Sequence, residues 1–239
     1  MDYRDEQLRE YLQWDIATWK QALAHWDNIL SQYCSFAEGH ETSDARRLKA
    51  LDLGARDGGL SLYLAQKDVD VICSDIAGPS DSARELHVRR GVSERISYAK
   101  VDATDMPFDD DQFDIVILKS LFAVIGVGNN PEAIRTAIRE IHRVLRPKGM
   151  MLFAENVAGT ALHMKARKLF VPWGRDCYYS TLAELEEMLD IFADSQVQTY
   201  GFLSCAKKDF KPFAALDQLI CRSPKSPYHY MAFGHATKA

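Results

Sequence analysis

Leu51–Gly59, LDLGARDGG, is the stretch whose reading decides the fold. It ends one apolar run, LKALDL, and opens another, GLSLYLA, which has helical spacing. A strand that ends in a glycine turn and passes into a helix offers backbone N–H groups to a ligand. Arg56 occupies the middle of that turn. If the position needs positive φ, a residue other than glycine costs about 1 kcal/mol there, which a fold can tolerate.

Outward from this turn, short apolar runs alternate with helical patterns. VDVICSD, RISYAK, FDIVILKS and GMMLFAEN read as strands, with SARELHVRR and PEAIRTAIREIHRVL as helices between them. That alternation predicts parallel strands joined by right-handed crossovers. FDIVILK is nearly continuous in apolar residues, as a central strand buried on both faces requires. Pro147-Lys148-Gly149 stops the preceding helix and starts the fifth strand. VAGTALHMKARKLF then reads as a basic amphipathic helix, and TLAELEEML as a helix with Thr181 as N-cap ahead of Glu184. SQVQTYGFL and YHYMAFGHATK read as strands that close the sheet. The expected fold is α/β: a Rossmann-like, doubly wound, seven-stranded, mostly parallel sheet with an N-terminal helical cap.

That cap is read from Leu8, Leu12, Ile16, Trp19, Leu23, Trp26 and Leu30, whose steps of three and four mark one face of a single helix. Residues 1–40 are expected to form a helical lid packed on the core, with Trp14, Trp19 and Trp26 placed to cover a flat ligand. Residues 41–239 form the rest of what is read as one domain. The chain has 239 residues, 47% hydrophobic, with net charge -5. This suits one large core and gives no electrostatic footprint for nucleic acid. MDYRDEQLRE lacks a secretory signal core, and no run is long enough to cross a bilayer. Five scattered cysteines without a CxxC pair argue against a disulfide framework and against a metal site, and point to a reducing cytoplasm.

Doubly wound sheets bind ligands outside the carboxyl ends of their strands, where the strand order reverses. The Gly54–Gly59 turn falls there. Asp75, ending the second strand in ICSDI, is placed to accept hydrogen bonds from both hydroxyls of a ribose. Asp102 follows the third strand in AKVDATDMPF. A nicotinamide-dependent oxidoreductase shares this layout, but its fingerprint needs a second glycine against the pyrophosphate, where this chain has Arg56.

Taken together, these segments resemble the class I S-adenosylmethionine-dependent methyltransferases. LDLGARDGG is similar to that family's hydrophobic-D-hydrophobic-G-x-G-x-G motif, and Asp75 in CSDI to its acidic ribose position. DATDMPFDDDQFDIVIL and REIHRVLRPKGMMLFAE are similar to its later segments, so the likeness runs from Leu48 to Glu155. It implies S-adenosyl-L-methionine as cofactor. Asp52 and Gly54 would then face the methionine portion, with Ala55, Arg56 and Gly58 in the same turn. Asp75 would bind the ribose and Ile76 the adenine face. Asp102 and the Ala103 N–H would meet the adenine edge, and Lys119 and Ser120 would border the methyl-donor side. The G-A-R-x-G-G and F-A-E-N segments also resemble a bacterial subgroup from surface-polysaccharide and secondary-metabolite clusters. That likeness directs the expectation to O- or N-methylation of a small molecule such as a sugar, a polysaccharide precursor or a secondary metabolite.

Methyl transfer from a sulfonium needs an aligned acceptor, and a hydroxyl acceptor also needs a base. His163, Glu155 and Lys119 are the catalytic candidates. His163 lies in a segment, 156–180, expected to overhang the site; its other reading is a partly exposed helix histidine. Glu155 reads equally as a helix-cap partner, and Lys119 as half of an ion pair. For the acceptor the candidates are Trp19, His25, Arg167, Trp173 and Arg175. HMKARKLFVPWGRDCYYS sets cations beside aromatics, which suits an anionic or glycosylated molecule; a solvated basic face is the alternative. The expected partner is a small-molecule acceptor, with no nucleic acid and no membrane, and a homodimer is left open. A cofactor-binding scaffold without turnover is the second functional reading.

Overall fold

The computed structural model describes residues 3–13, 16–39, 47–203, 211–221 and 223–239. Two helices, α1 (Asp5–Leu12) and α2 (Ile16–Gly39), precede β1 (Lys49–Leu53), α3 (Gly59–Ala65), β2 (Asp70–Asp75), α4 (Asp81–Arg89) and β3 (Ile96–Lys100). The second half runs β4 (Phe113–Lys119), α5 (Phe122–Ile125), α6 (Pro131–Val144), β5 (Leu145–Asn156), α7 (Ala161–Phe170), α8 (Leu182–Leu189), β6 (Asp194–Tyr200), α9 (Lys211–Ile220) and β7 (Met231–Thr237).

The strands form one sheet in the order β3-β2-β1-β4-β5-β7-β6. The pairs from β3 through β5 are parallel, while β7 runs antiparallel to both β5 and β6. Sequence order reverses between β1 and β4, so the crevice at the carboxyl ends of those two strands is the topological switch point. Phe113–Leu118 of β4 is buried throughout, as its nearly continuous apolar run requires, with Asp114 buried against Arg146. One face of the sheet is covered by Leu12, Trp19, Trp26, Leu62 and Tyr63, the other by Phe122, Ile134, Ile138, Ile141 and Leu185.

Local signals set several boundaries. Asn130 caps α6 by accepting from the Ala133 N–H, with Pro131 at the first helical position. Thr181 and Glu184 form the anticipated capping box on α8, Thr181 Oγ1 accepting from Glu184 N–H at 3.2 Å. The single N-terminal helix read from the apolar spacing is two helices. The chain turns at Gln13, which has φ 65°, between a pair of segments that share the same apolar face. Trp19 and Trp26 are fully buried beneath α2 and form core; Trp26 Nε1–H donates to the Gly234 carbonyl. Trp14 lies outside the described residues, as do residues 40–46, where the expected boundary of the cap falls. Helix α9 was not anticipated, because its pattern is inverted: Asp217 is buried while Leu216, Leu219 and Ile220 are exposed.

Candidate functional site

The turn after β1 is built from three left-handed residues, the third being Gly58 with φ 74°, and two close packings. Gly54 has φ 68° and Arg56 φ 51°, so the arginine does occupy the positive-φ position. Its backbone N–H donates to Asp75 Oδ2 at 3.3 Å, and its guanidinium lies 3.7 Å from the Asp57 carboxylate. Gly58 and Gly59 answer to their neighbours. A Cβ on Gly58 would lie 2.6 Å from the His87 ring, and one on Gly59 would overlap the carbonyl oxygens of Glu10 and Tyr11 in α1. The pair therefore lets α3 sit beneath α4 on one side and α1 on the other.

His87 was missed by the sequence reading. It is fully buried, with Nε2 2.9 Å from the Gly58 carbonyl and Nδ1 2.8 Å from the Tyr98 hydroxyl. A carbonyl only accepts, so Nε2 carries the proton and Nδ1 accepts from Tyr98. Burial lowers the imidazole pKa, which keeps this neutral tautomer in place beside the turn.

A cleft of about 1090 Å³ opens at the switch point. Gly54, Arg56, Asp75, Ile76, Asp102, Ala103 and Lys119 all line it, each delivered by a strand end. Asp75 accepts from the N–H groups of Arg56 and Ala77. Asp102 Oδ1 accepts from the Thr104 N–H and hydroxyl at 2.8 and 2.7 Å, and those bonds lower its pKa. The far wall was not anticipated: Leu121, Val124 and Ile125 come from α5 and the turn before it, and Gln13 from the break between α1 and α2. No local pattern marks Gln13, because the helix break that exposes it is a tertiary effect.

An annex of the cleft is lined by Tyr11, Gln13, Asp52, Ala55 and Lys119. Here Asp52 is buried; its Oδ2 accepts from Ser61 Oγ at 2.7 Å, while Oδ1 has no hydrogen-bond partner among the described residues. Burial raises this carboxyl to about 7, against the opposing pull of Ser61 and Lys119. Lys119 Nζ lies 5.2 Å from the centroid of the buried Trp19 ring, which does not itself line the cleft or its annex.

The other candidates are not brought to the cleft. His163 is buried at the start of α7, where Nδ1 accepts from the Thr160 N–H at 3.0 Å and Nε2–H donates to the Phe202 carbonyl at 2.8 Å. Both ring nitrogens are engaged in capping, and burial lowers the pKa. Glu155 is the helix-cap partner of its second reading: Oε1 accepts from Leu121 N–H at 2.6 Å and Phe122 N–H at 3.1 Å, and burial raises its pKa to about 7. His25 stacks on His235 against the β6–β7 side, with a pKa lowered to about 4 by burial. Arg167 is buried, donating to the carbonyls of Val157 and Tyr230 and lying over the Tyr179 ring. Arg175 is exposed and donates to the Lys168 carbonyl. The side chain of Trp173 lies outside the described residues. The anion grip expected of this segment is therefore not assembled: its central arginine is spent on backbone carbonyls.

Comparison with known proteins agrees with this layout. Residues 51–153 match the family described as a methyltransferase domain. A demethylmenaquinone methyltransferase of Clavibacter sepedonicus is 35% identical over 108 residues, which cover 45% of this chain and 40% of the relative. The ubiquinone/menaquinone biosynthesis C-methyltransferase UbiE of Shewanella sp. (strain ANA-3) is 29% identical over 161 residues, 65% of this chain and 59% of that one. The chain thus aligns with about half the length of these curated relatives. Among solved structures, a Haemonchus contortus N-methyltransferase in complex with phosphomonomethylethanolamine and S-adenosylhomocysteine superimposes with TM-score 0.62 at 19% identity, over 92% of this chain and 52% of that one. The cyclase SpnF superimposes with TM-score 0.55 at 21% identity, over 87% and 80%. At such identities the structural likeness speaks for the fold alone, and a cyclase on the same fold shows why. On sheet order and matched segment together, residues 51–153 match a methyltransferase domain and lie on a Rossmann-like, mostly parallel seven-stranded sheet.

Proposed function

We propose that the protein transfers a methyl group from S-adenosylmethionine to a small, largely apolar acceptor. The observation that carries this reading is the buried Asp52 Oδ1, without a hydrogen-bond partner among the described residues and beside an annex of the cleft. A buried carboxylate oxygen left unsatisfied is costly, and the amino group of a methionine moiety would satisfy it. The remaining donor set fits the rest of that cofactor. Asp75 retains acceptor capacity toward vicinal ribose hydroxyls, Ile76 offers an exposed apolar face for a purine, and Asp102 stands at the next strand end for its amino edge. When bound, the cofactor supplies an activated methyl group on a sulfonium. The chain's part is then to hold the acceptor in line and to exclude water.

The acceptor is inferred from the far wall. Leu121, Val124 and Ile125 offer apolar contact, and no histidine lines the cleft among the described residues. That combination favours a nucleophile activated by its own chemistry, such as a ring carbon beside a phenolic or enolic oxygen, over an unactivated sugar hydroxyl. Three curated relatives support it: two are named above for menaquinone or ubiquinone chemistry, and a third, from Caenorhabditis elegans, is a sterol 4-C-methyltransferase; a fourth, from Actinopolyspora halophila, is a glycine/sarcosine/dimethylglycine N-methyltransferase. We therefore infer carbon methylation of an apolar ring compound, in place of the O- or N-methylation expected from sequence.

The test is incubation with methyl-labelled S-adenosylmethionine and either an organic or an aqueous extract of cells. Label passing into an organic-phase product is the expected result. Label confined to a water-soluble product would overturn the apolar acceptor. Tight binding of S-adenosylhomocysteine with no transfer to either extract would favour a non-catalytic binder.

A further inference from the structure

The basic helix α7 has an outer face that the cleft does not use. Leu162, Leu169 and Phe170 are 70%, 68% and 78% exposed, and the lysines Lys165 and Lys168 are exposed among them. Helix α9 has the same inversion: Leu216, Leu219 and Ile220, at i, i+3 and i+4, share an exposed face. The inner sides of both helices are polar. His163 and Arg167 of α7 are buried and bonded to backbone carbonyls, and Asp217 of α9 accepts from the N–H groups of Phe202 and Leu203 at 3.1 and 2.7 Å. Because His163 also donates to the Phe202 carbonyl, one backbone segment fastens the inner sides of both helices. The apolar residues cannot rotate inward without breaking these bonds, so their exposure is fixed by the fold.

We propose that the α7–α9 face docks on the surface of an anionic lipid bilayer. An apolar strip interleaved with lysines is the pattern of an interfacial helix, with the lysine stems lying along the apolar surface and their ammonium groups reaching headgroup phosphates. Phe170, Leu169 and Leu162 enter the acyl boundary from α7, with Leu219 and Ile220 from α9. The charge decides between a bilayer and a second copy of the chain. A two-fold interface through α7 would set Lys165 and Lys168 against the same lysines of the partner, whereas an anionic surface neutralises them. The contact is peripheral, since no described helix is long and apolar enough to cross a membrane. It differs from the sequence expectation of no membrane partner.

The face is also tied to the cleft. Beyond Arg175 the chain follows α5: the Tyr178 N–H donates to the Ala123 carbonyl and the Gly128 N–H to the Asp176 carbonyl. Val124 and Ile125 of that same helix line the cleft, so a docked α7 places the cleft wall near the bilayer surface. The proposal stands on surface residues and does not depend on the cofactor reading.

Flotation of the full chain with vesicles of phosphatidylcholine, with and without phosphatidylglycerol, tests it. Binding is expected only with phosphatidylglycerol and is expected to fall with added salt. Lys165→Gln and Lys168→Gln should each weaken it about fivefold. The double variant Leu169→Asp/Phe170→Asp should abolish it, while thermal unfolding and S-adenosylhomocysteine affinity stay at wild-type values. Absence of flotation with phosphatidylglycerol would overturn the proposal, as would equal flotation with both vesicle types. So would sedimentation as a dimer that the double variant dissociates, which assigns the face to a second copy.

Discussion

At the scale of single residues, the carboxylates of the cleft differ in what they ask of a ligand. Asp75 is ready as an acceptor, its bonds among the described residues coming from the backbone N–H groups of Arg56 and Ala77. Replacing it by alanine should weaken S-adenosylhomocysteine binding by about 1.5–3 kcal/mol, at least tenfold in Kd by calorimetry. An unchanged Kd would remove Asp75 from the ribose site. Asp52 asks for a cation. Burial raises its carboxyl to about 7 from the ordinary aspartate value of 3.8, so the folded state holds a proton that the unfolded chain releases. Its contribution to stability is therefore fully present below the unfolded value and is lost as pH climbs toward 7. A cationic amino group brought against Asp52 reverses the shift and expels the proton. Cofactor binding just below pH 7 should accordingly release protons, seen as a binding enthalpy that depends on the buffer's ionisation heat. Asp52→Asn should erase that dependence; a wild-type enthalpy indifferent to buffer would reject the assignment. That Asp75 and Asp102 face the cleft was legible in the sequence because one ends β2 and the other lies just past β3. The roles of His163 and Arg167 were not. Their chemistry suited catalysis or anion binding, but a histidine three residues after Thr160 caps a helix as readily, and only the burial of α7's inner side decides it.

At the scale of elements, the turn and the two helices around it act as one assembly. The Gly58-Gly59 pair serves packing, with His87 against one glycine and the carbonyls of α1 against the other. Gly59→Ala should therefore displace α1, at a cost of about 1–3 kcal/mol. A lower unfolding temperature and faster proteolysis near Gln13 would report it, and a variant with wild-type unfolding would mean that α1 yields without loss. The strands and α3, α4 and α6 could be read because a hydrophobic period marks each, with Ser80 and Asn130 capping α4 and α6 as well. The break between α1 and α2 could not, since both segments continue a single apolar stripe and only the packing of each on the core separates them. Helix α9 hid for the opposite reason: its apolar residues face outward, and a reading that turns hydrophobic faces inward passes over it.

At the scale of the whole molecule, a ligand bound at the switch point touches the turns after four strands, and so bears on the entire sheet. Saturation with S-adenosylhomocysteine at a hundred times Kd should add about 2.7 kcal/mol to stability. For a domain of this size that raises the unfolding temperature by about 5–10 °C in a thermal melt. A nicotinamide dinucleotide should leave it unmoved; the reverse pattern would exchange the two cofactors. The parallel half of the sheet was legible because strands and crossover helices alternate there. The anticipated closing strands are present too, but their order is set by contacts remote in sequence. Strand β7 enters between β5 and β6, with Gly234 so close to the Gln196 carbonyl that no side chain fits. That insertion governs the timing of assembly on the ribosome. β6 emerges before its neighbour exists, and β5 keeps an open edge until residues 231–237 have been made. A pause in translation upstream of Met231 therefore leaves one unpaired strand and one open sheet edge exposed at once, a template for aggregation that one late segment of seven residues closes.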